Sequence, residues 1–243
     1  MYKLLQGDCL ELMKDIPDNS VDMILCDLPY GTTSNKWDKV IPFEPLWEQY
    51  NRIRKENAAI VLFSQMPFSV DCVNSNRKQF RYEWIWQKSQ GVGFLNANKM
   101  PLRSHENILV FYNKLPTYNP QFTSGKPYRH GENGSSSNYR ELLPHSTIND
   151  NGKRFPKDIL KFTSVNCSSQ KKFHPTQKPV DLLEYLIKTY TNEGDLVLDN
   201  CMGSGSTGVA ALNTGRNFIG MELDEHYFEV AKERIEGVVN NVL

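Results

Sequence analysis

The tetrapeptide Asp27-Leu28-Pro29-Tyr30 is the part of this chain best equipped for chemistry. It follows Val21-Asp22-Met23-Ile24-Leu25-Cys26, an apolar run that reads as a buried strand. A carboxylate, a carbonyl held ahead of a proline of fixed φ, and an aromatic ring are thus delivered together at a strand end. The carboxylate and the carbonyl can accept hydrogen bonds from an NH2 group, and the ring can stack on a planar partner. Those functions suit a nucleobase taken out of its stack, with the ring of Tyr30 expected to matter more than its hydroxyl. Taken alone, four residues fit a plain strand and turn equally well.

A second stretch raises the first above that reading. Leu196-Val197-Leu198-Asp199-Asn200-Cys201-Met202-Gly203-Ser204-Gly205-Ser206-Thr207-Gly208 reads as a buried strand, a glycine loop and the start of a helix, and Glu222 closes the next expected strand. Gly203 to Gly208 formally matches the dinucleotide fingerprint, so an NAD-dependent oxidoreductase is one reading. In that fingerprint the glycines begin almost at the strand end, where a pyrophosphate meets the helix N-terminus. Here Asp199-Asn200-Cys201-Met202 intervenes. A carboxylate at the strand tip repels a pyrophosphate and attracts an ammonium and a sulfonium, which favours S-adenosylmethionine (AdoMet).

These stretches lie far apart in the chain, and the elements around them must bring them together. Strands are expected at 2–6, 21–26, 58–63, 80–86, 108–112, 196–198 and 217–221. A brief helix is expected near residues 10–16, with longer ones at 43–56, from Pro179 to Gly194, at 206–213 and at 225–238. Phe43, Leu46, Trp47, Tyr50 and Ile53 fall on one face of the helix at 43–56. Alternating strands and helices predict a mainly parallel sheet covered on both sides, an α/β fold.

Between 113 and 172 the periodicity fails, and Gly131 to Asn138 is nearly low in complexity. That is too long for a bare connection, so 113–172 is expected to be an insertion between two halves, 1–112 and 173–243. Net charge is zero, with 28 Lys and Arg against 28 Asp and Glu, but its distribution is uneven. Residues 113–178 carry eleven basic and four acidic side chains, and 179–243 carry four and eleven. A basic segment on a neutral to acidic body has the form of a phosphate-contacting surface, although a solvated loop can share that composition. Arg129, Arg140, Lys153, Arg154, Lys157, Lys161, Lys171 and Lys172 are its candidate phosphate or base contacts, and Trp37 is a candidate second wall for a base.

Cys9, Cys26, Cys72, Cys167 and Cys201 are odd in number, dispersed and never in a C-x-x-C pair, which argues against a disulfide framework and a zinc site. No metal is expected. No segment approaches membrane-spanning length, so a soluble cytoplasmic protein without membrane partners is expected.

Asp27-Leu28-Pro29-Tyr30, then His174-Pro175-Thr176-Gln177-Lys178-Pro179, then Asp199 to Gly208 together resemble the amino-methyltransferases of DNA, in the group whose catalytic motif precedes its AdoMet motif. The resemblance covers 1–112 and 173–243. It departs at Leu28, where the commonest form has a second proline; the carbonyl of that residue is the part that matters. The resemblance implies a circularly permuted, Rossmann-like AdoMet fold with a seven-stranded sheet. It places Asp27, Leu28, Pro29 and Tyr30 at the reacting amine, and Asp8 and the Cys9 backbone at the adenine of AdoMet. Glu222 is placed on the ribose, with Asp199, Gly203, Gly205, Ser206 and Thr207 round the methionine end and Thr176, Lys178 and Pro179 closing over it. It implies a site-specific transfer to adenine N6 in DNA, because members acting on cytosine N4 more often carry serine in place of Asp27; N4-cytosine is the alternative. RNA methylation and a DNA-binding module with a vestigial cofactor site are more distant readings. A homodimer is implied, for which exposed aromatics such as Trp47 or Tyr50 would offer an interface, and a cognate restriction enzyme is a possible partner.

Overall fold

A computed structural model of the chain describes residues 1–32, 38–130, 147–165, 173, 174 and 176–242. Its elements run β1 (Tyr2–Gln6), α1 (Cys9–Leu12), β2 (Val21–Asp27), α2 (Phe43–Ile53), β3 (Arg54–Ser64), α3 (Phe68–Ser75), β4 (Phe80–Val92) and β5 (Arg103–Phe111). Four short strands follow, β6 (Thr123–Ser124), β7 (Tyr128–His130), β8 (Thr147–Asn149) and β9 (Lys153–Arg154). The chain closes with β10 (Ile159–Lys161), α4 (Val180–Tyr190), β11 (Leu196–Asp199), α5 (Ser206–Asn213), β12 (Asn217–Glu222) and α6 (Glu225–Val242).

Two compact units are present: Met1–Asn119 with Asp158–Leu243, and Pro120–Lys157. The smaller lies within the 113–172 stretch and pairs β6 with β9 and β7 with β8, both antiparallel. The larger holds a mixed, mainly parallel sheet in the order β1-β12-β11-β2-β3-β5-β4-β10. That is eight strands rather than seven. The eighth, β10, belongs to a stretch read from sequence as irregular. It pairs in parallel with β4 through Ile159↔Ile85 and buries only Leu160, so three residues gave no usable alternation.

Side-chain alternation explains why both faces of this sheet are covered. On β2, Met23 and Leu25 join Val61 and Phe63 of β3, Ile108 and Val110 of β5, and Trp84 and Trp86 of β4, under α4, α5 and α6. The opposite set, Ile24, Cys26, Ile60, Leu62, Leu109 and Phe111, packs on α2 and α3. Trp47 and Tyr50 belong to this second core, 6% and 0% exposed, so the aromatic surface considered for a homodimer is not at the surface. Helix α2 ends at Ile53 rather than continuing to 56, because Asn19 and Ser20 donate to the carbonyls of Arg52 and Ile53 and draw the chain straight into β3. Helix α3 was not expected; it is short and buries only Phe68, Ser69 and Cys72. No helix among the described residues is long and apolar enough to cross a membrane.

Strands β11 and β2 are parallel neighbours, Val197↔Met23 and Leu198↔Ile24, and the chain leaves them in opposite directions across the sheet. A crevice at the carboxyl ends of such a pair is where open α/β sheets bind ligands. Helix α5 must start close beneath it, and Gly208 permits that: an added Cβ would stand 2.5 Å from Ile235 of α6 and 2.7 Å from Phe218 of β12. Gly208→Val is therefore expected to lower unfolding stability in urea by about 1–3 kcal/mol through overpacking.

Candidate active site

A cavity of about 650 Å³ opens at the ends of β11 and β2, walled by β1, β12, the β4–β5 hairpin and the segment ahead of α4, all within the larger unit. Strand parity aims its charged groups. Asp27 lies on the Met23 and Leu25 side of β2, Glu106 on the Ile108 and Val110 side of β5, and Lys88 on the Trp84 and Trp86 side of β4. All three therefore face the layer covered by α4, and Lys178, just before its N-cap Pro179, meets them there.

The result is a chain of alternating charges. Lys178 forms an ion pair with Asp27 and lies 3.4 Å from Glu106 Oε2, while Lys88 binds Glu106 Oε1 at 2.5 Å. Tyr30 donates its hydroxyl to Asp27 Oδ1 at 2.7 Å, so that hydroxyl is engaged rather than idle. Its ring packs on Phe68, with centroids 5.0 Å apart. Asp38 fixes the backbone beyond Tyr30 by accepting from the amides of Gly31 and Thr32 at 2.8 and 3.0 Å. The Asp27 side chain is 23% exposed, and that exposure opens into the cavity.

Burial raises the Asp27 pKa from its ordinary value of 3.8, with Lys178 opposing it. For Lys178 burial acts to lower the pKa, yet the two carboxylates together push it up, so its ammonium persists. Burial works to raise Glu106 too, but Lys178 and Lys88 hold it below the ordinary value of 4.5.

The other end of the cavity is acidic. Asp199 is 3% exposed and accepts from the Cys201 amide at 3.0 Å; burial, offset in part by Thr207 and Cys201, lifts its pKa to about 6. Glu222, also raised by burial, accepts from the amides of Gly203 at 2.9 Å and Asp224 at 2.8 Å, which ties the glycine loop to the end of β12. Asp8 caps α1 by accepting from Leu10 at 2.8 Å, and the Tyr50 hydroxyl reaches the loop side chain Asn200 at 2.6 Å. Arg234 of α6 clamps the loop from behind, donating to the Ser204 carbonyl and to its hydroxyl at 2.9 Å. His174 accepts from the Thr176 amide at 3.2 Å on Nδ1, which puts its proton on Nε2, and its ring meets Tyr227 edge-on at 4.1 Å.

Of the residues singled out in the sequence, Asp27, Leu28, Pro29, Tyr30, Asp8, Cys9, Thr176, Lys178, Asp199, Gly203, Ser206, Thr207 and Glu222 all line this cavity. Gly205 and Pro179 do not. Gly205 has φ +77° and its Cβ position faces Ala231 of α6 at 2.9 Å, so it seats the loop on the helix. Arg129, Lys153, Arg154 and Lys157 belong to the smaller unit, where Arg129 pairs with Asp150 at 3.7 Å and Arg154 lies over the Tyr128 ring at 4.5 Å. Lys161 is exposed on β10. Trp37, Arg140, Lys171, Lys172 and the 131–138 loop lie outside the described residues. Sequence reading missed Glu106, Lys88 and Arg234. The first two carried a signal: each continues the inward-facing alternation of a buried strand by one more step.

The arrangement can hold a cation beside Asp8, Asp199 and Glu222 and present an ionisable acceptor, a backbone carbonyl and an aromatic ring to a polar planar group. Comparison with known proteins identifies the family. The N6/N4 methylase profile, described as DNA methylase, matches residues 21–233. The chain is 29% identical over 260 residues to the type II methyltransferase M.HpaI of Haemophilus parainfluenzae, across 98% of this chain and 75% of that protein. It is 30% identical over 250 residues to the DNA adenine methyltransferase YhdJ of Escherichia coli K12, across 96% and 82%. Among solved structures, the M1.HpyAVI–SAM complex superposes with a TM-score of 0.66 at 25% identity, covering 97% of this chain and 99% of that one.

Glu106→Gln leaves Lys88 and Lys178 facing each other with one carboxylate fewer. It is expected to cost about 2 kcal/mol in urea unfolding, less than a fully buried pair because the group opens on the cavity. Since the folded-state pKa of Glu106 is depressed, its contribution is complete above 4.5 and fades as the pH falls through the depressed value. The two proteins should converge in stability over that acid range.

Proposed function

We propose that this chain, which belongs to the N6/N4 DNA methylase family, methylates the exocyclic N6 amine of adenine in DNA. It is an AdoMet-dependent DNA amino-methyltransferase with homologues among the type II enzymes. The observation that carries adenine is the Asp27 carboxylate, partly exposed to the cavity beside the Tyr30 ring. Likeness to an adenine-specific relative at 30% identity supports it.

The acidic end of the cavity fits the donor. Asp8, Asp199 and Glu222 meet there, and the lysines and arginine lining the cavity, Lys39, Lys88, Arg103 and Lys178, come from other walls, so a cationic ligand is matched and a pyrophosphate is not. Asp199, Gly203, Ser206 and Thr207 would hold the methionine end, Glu222 the ribose, and Asp8 with the Cys9 backbone the adenine. When bound, AdoMet supplies a methyl carbon on a sulfonium sulfur, and transfer breaks that C–S bond as an N–C bond forms.

The chain's own residues prepare the acceptor. An adenine amine is a weak nucleophile because its lone pair is delocalised into the ring. Asp27 and the Leu28 carbonyl accept its two N–H bonds and thereby free the lone pair, with the base stacked on Tyr30. Asp27 then takes the surplus proton, a role its raised pKa suits. Before that, Lys178 must release Asp27. Glu106 Oε2 receives it: this oxygen accepts no hydrogen bond among the described residues and lies 3.4 Å from the ammonium. The basic smaller unit, with Arg129, Lys153, Arg154 and Lys157, serves target recognition, and Lys161 adds a phosphate contact.

Purified protein incubated with AdoMet and unmodified genomic DNA, followed by digestion and mass spectrometry of the nucleosides, is expected to show N6-methyladenine. Asp27→Ala is expected to keep AdoMet binding and lose transfer by a factor on the order of 10³ or more, since acceptor, orientation and proton transfer go together. N4-methylcytosine would overturn the base assignment and keep the mechanism.

AdoMet affinity should also depend on pH with a defined sign. The anionic form of Asp199 is the one that attracts the ammonium, so affinity is expected to fall as pH drops through about 6, while Asp199→Asn binds weakly at every pH.

A further inference from the structure

The β4–β5 hairpin does more than wall the cavity. Up to Gln87↔His105 its strands belong to the sheet; past that pair the ladder becomes irregular, resumes once at Val92↔Arg103, and leaves the core. Gln90, Gly91, Val92 and Arg103 line the cavity into which Asp27 opens, so the ten residues of the tip, 93–102, continue directly from its rim. Gly93, at φ +92°, turns the chain into a short 3-10 turn at Phe94–Asn96, and Gly91 lies close over Leu102, where an added Cβ would come within 2.8 Å.

What this tip exposes is unusual for a surface. Phe94 is 76% exposed, Leu95 84%, Met100 56% and Leu102 45%. Scattered single apolar residues need no explanation, but four within nine positions do. The charges around them are of one sign: from Gln87 to His105 the sequence holds Lys88, Lys99 and Arg103 and no acidic residue. Apolar side chains framed by cations, at the rim of the cavity into which Asp27 opens, match a duplex, whose interior is apolar and stacked and whose edges are anionic.

We propose that the hairpin tip, led by Phe94, is a wedge that enters the DNA base stack and fills the gap left when the target base turns into the cavity. The inference rests on the DNA amino-methyltransferase reading. Extruding a base costs a few kcal/mol of stacking and pairing, and an aromatic ring placed in the vacancy recovers part of that stacking. Lys99 and Arg103 flank the ring on the phosphates.

A plasmid methylated by the wild-type protein and sequenced locates the target site, and two duplexes of that site are then compared, one fully paired and one abasic opposite the target. Phe94→Ala is expected to lower kcat/KM on the paired duplex by about tenfold or more and to come within about twofold of wild type on the abasic one, where flipping is cheap. Phe94→Trp keeps a stacking ring and should stay near wild type on both. Equal loss on the two duplexes, or no loss on either, overturns the wedge while leaving the methyltransferase reading intact. So does conversion of a dimer to a monomer by Phe94→Ala in size-exclusion chromatography with light scattering, which would assign the patch to a second copy of this chain. Failure of the wild type to methylate any DNA would sink both readings together.

Discussion

Two neighbouring parallel strands end in carboxylates that the fold must keep inside it, and much of the surrounding structure answers that demand. Asp199 closes β11 and Asp27 closes β2, each in an environment that raises its pKa through desolvation. The two are handled differently. Asp199 is surrounded by neutral donors, the Cys201 amide and the Thr207 side chain, which leave its charge uncompensated and ready for a cation. Asp27 is met by a full ammonium, itself shared with Glu106 and backed by Lys88. One carboxylate thus attracts a charged donor while the other is held in reserve for an uncharged acceptor.

This difference has a structural origin. The glycine loop after β11 is locked from both sides, by the Glu222 carboxylate on the Gly203 amide and by Arg234 on Ser204, so its amides stay where they are. The segment after β2 is instead anchored beyond Tyr30 by Asp38, and the side chains opposite Asp27 are a lysine and a glutamate, with rotamers to exchange. A donor site built from backbone is rigid; an acceptor site built from long charged side chains can rearrange when a base arrives.

How much of this was legible in the sequence varied with the physics involved. The strands around the site stood out as apolar runs bounded by turn residues or by one of the two motifs, and the tetrapeptide and glycine loop carried their chemistry in residue type. Most of the expected cavity residues do meet at one opening. What escaped notice depended on pairing across distant strands. Glu106 and Lys88 look like ordinary ends of strands until β4 and β5 are laid side by side, and Arg234 reads as solvated helix surface until α6 is docked on the loop. Strand β10 was too short for any periodicity to register, and the Tyr30 hydroxyl acquired a partner only through the turn that folds it back on Asp27.

The order of the strands along the chain carries a consequence for biosynthesis. Strand β12 lies between β1 and β11, and among the described residues β1 has no other neighbour in the sheet. Until β12 emerges, β1 lacks this partner, and Glu222, which ties down the glycine loop, does not yet exist. The acceptor half can collapse early around β2, β3, β4 and β5, but the donor half closes only when β12 inserts between β1 and β11, two strands far apart in the sequence. Long-range pairing of this kind is slow to form. A growing chain on the ribosome is thereby unable to complete its donor site until β12 has been made.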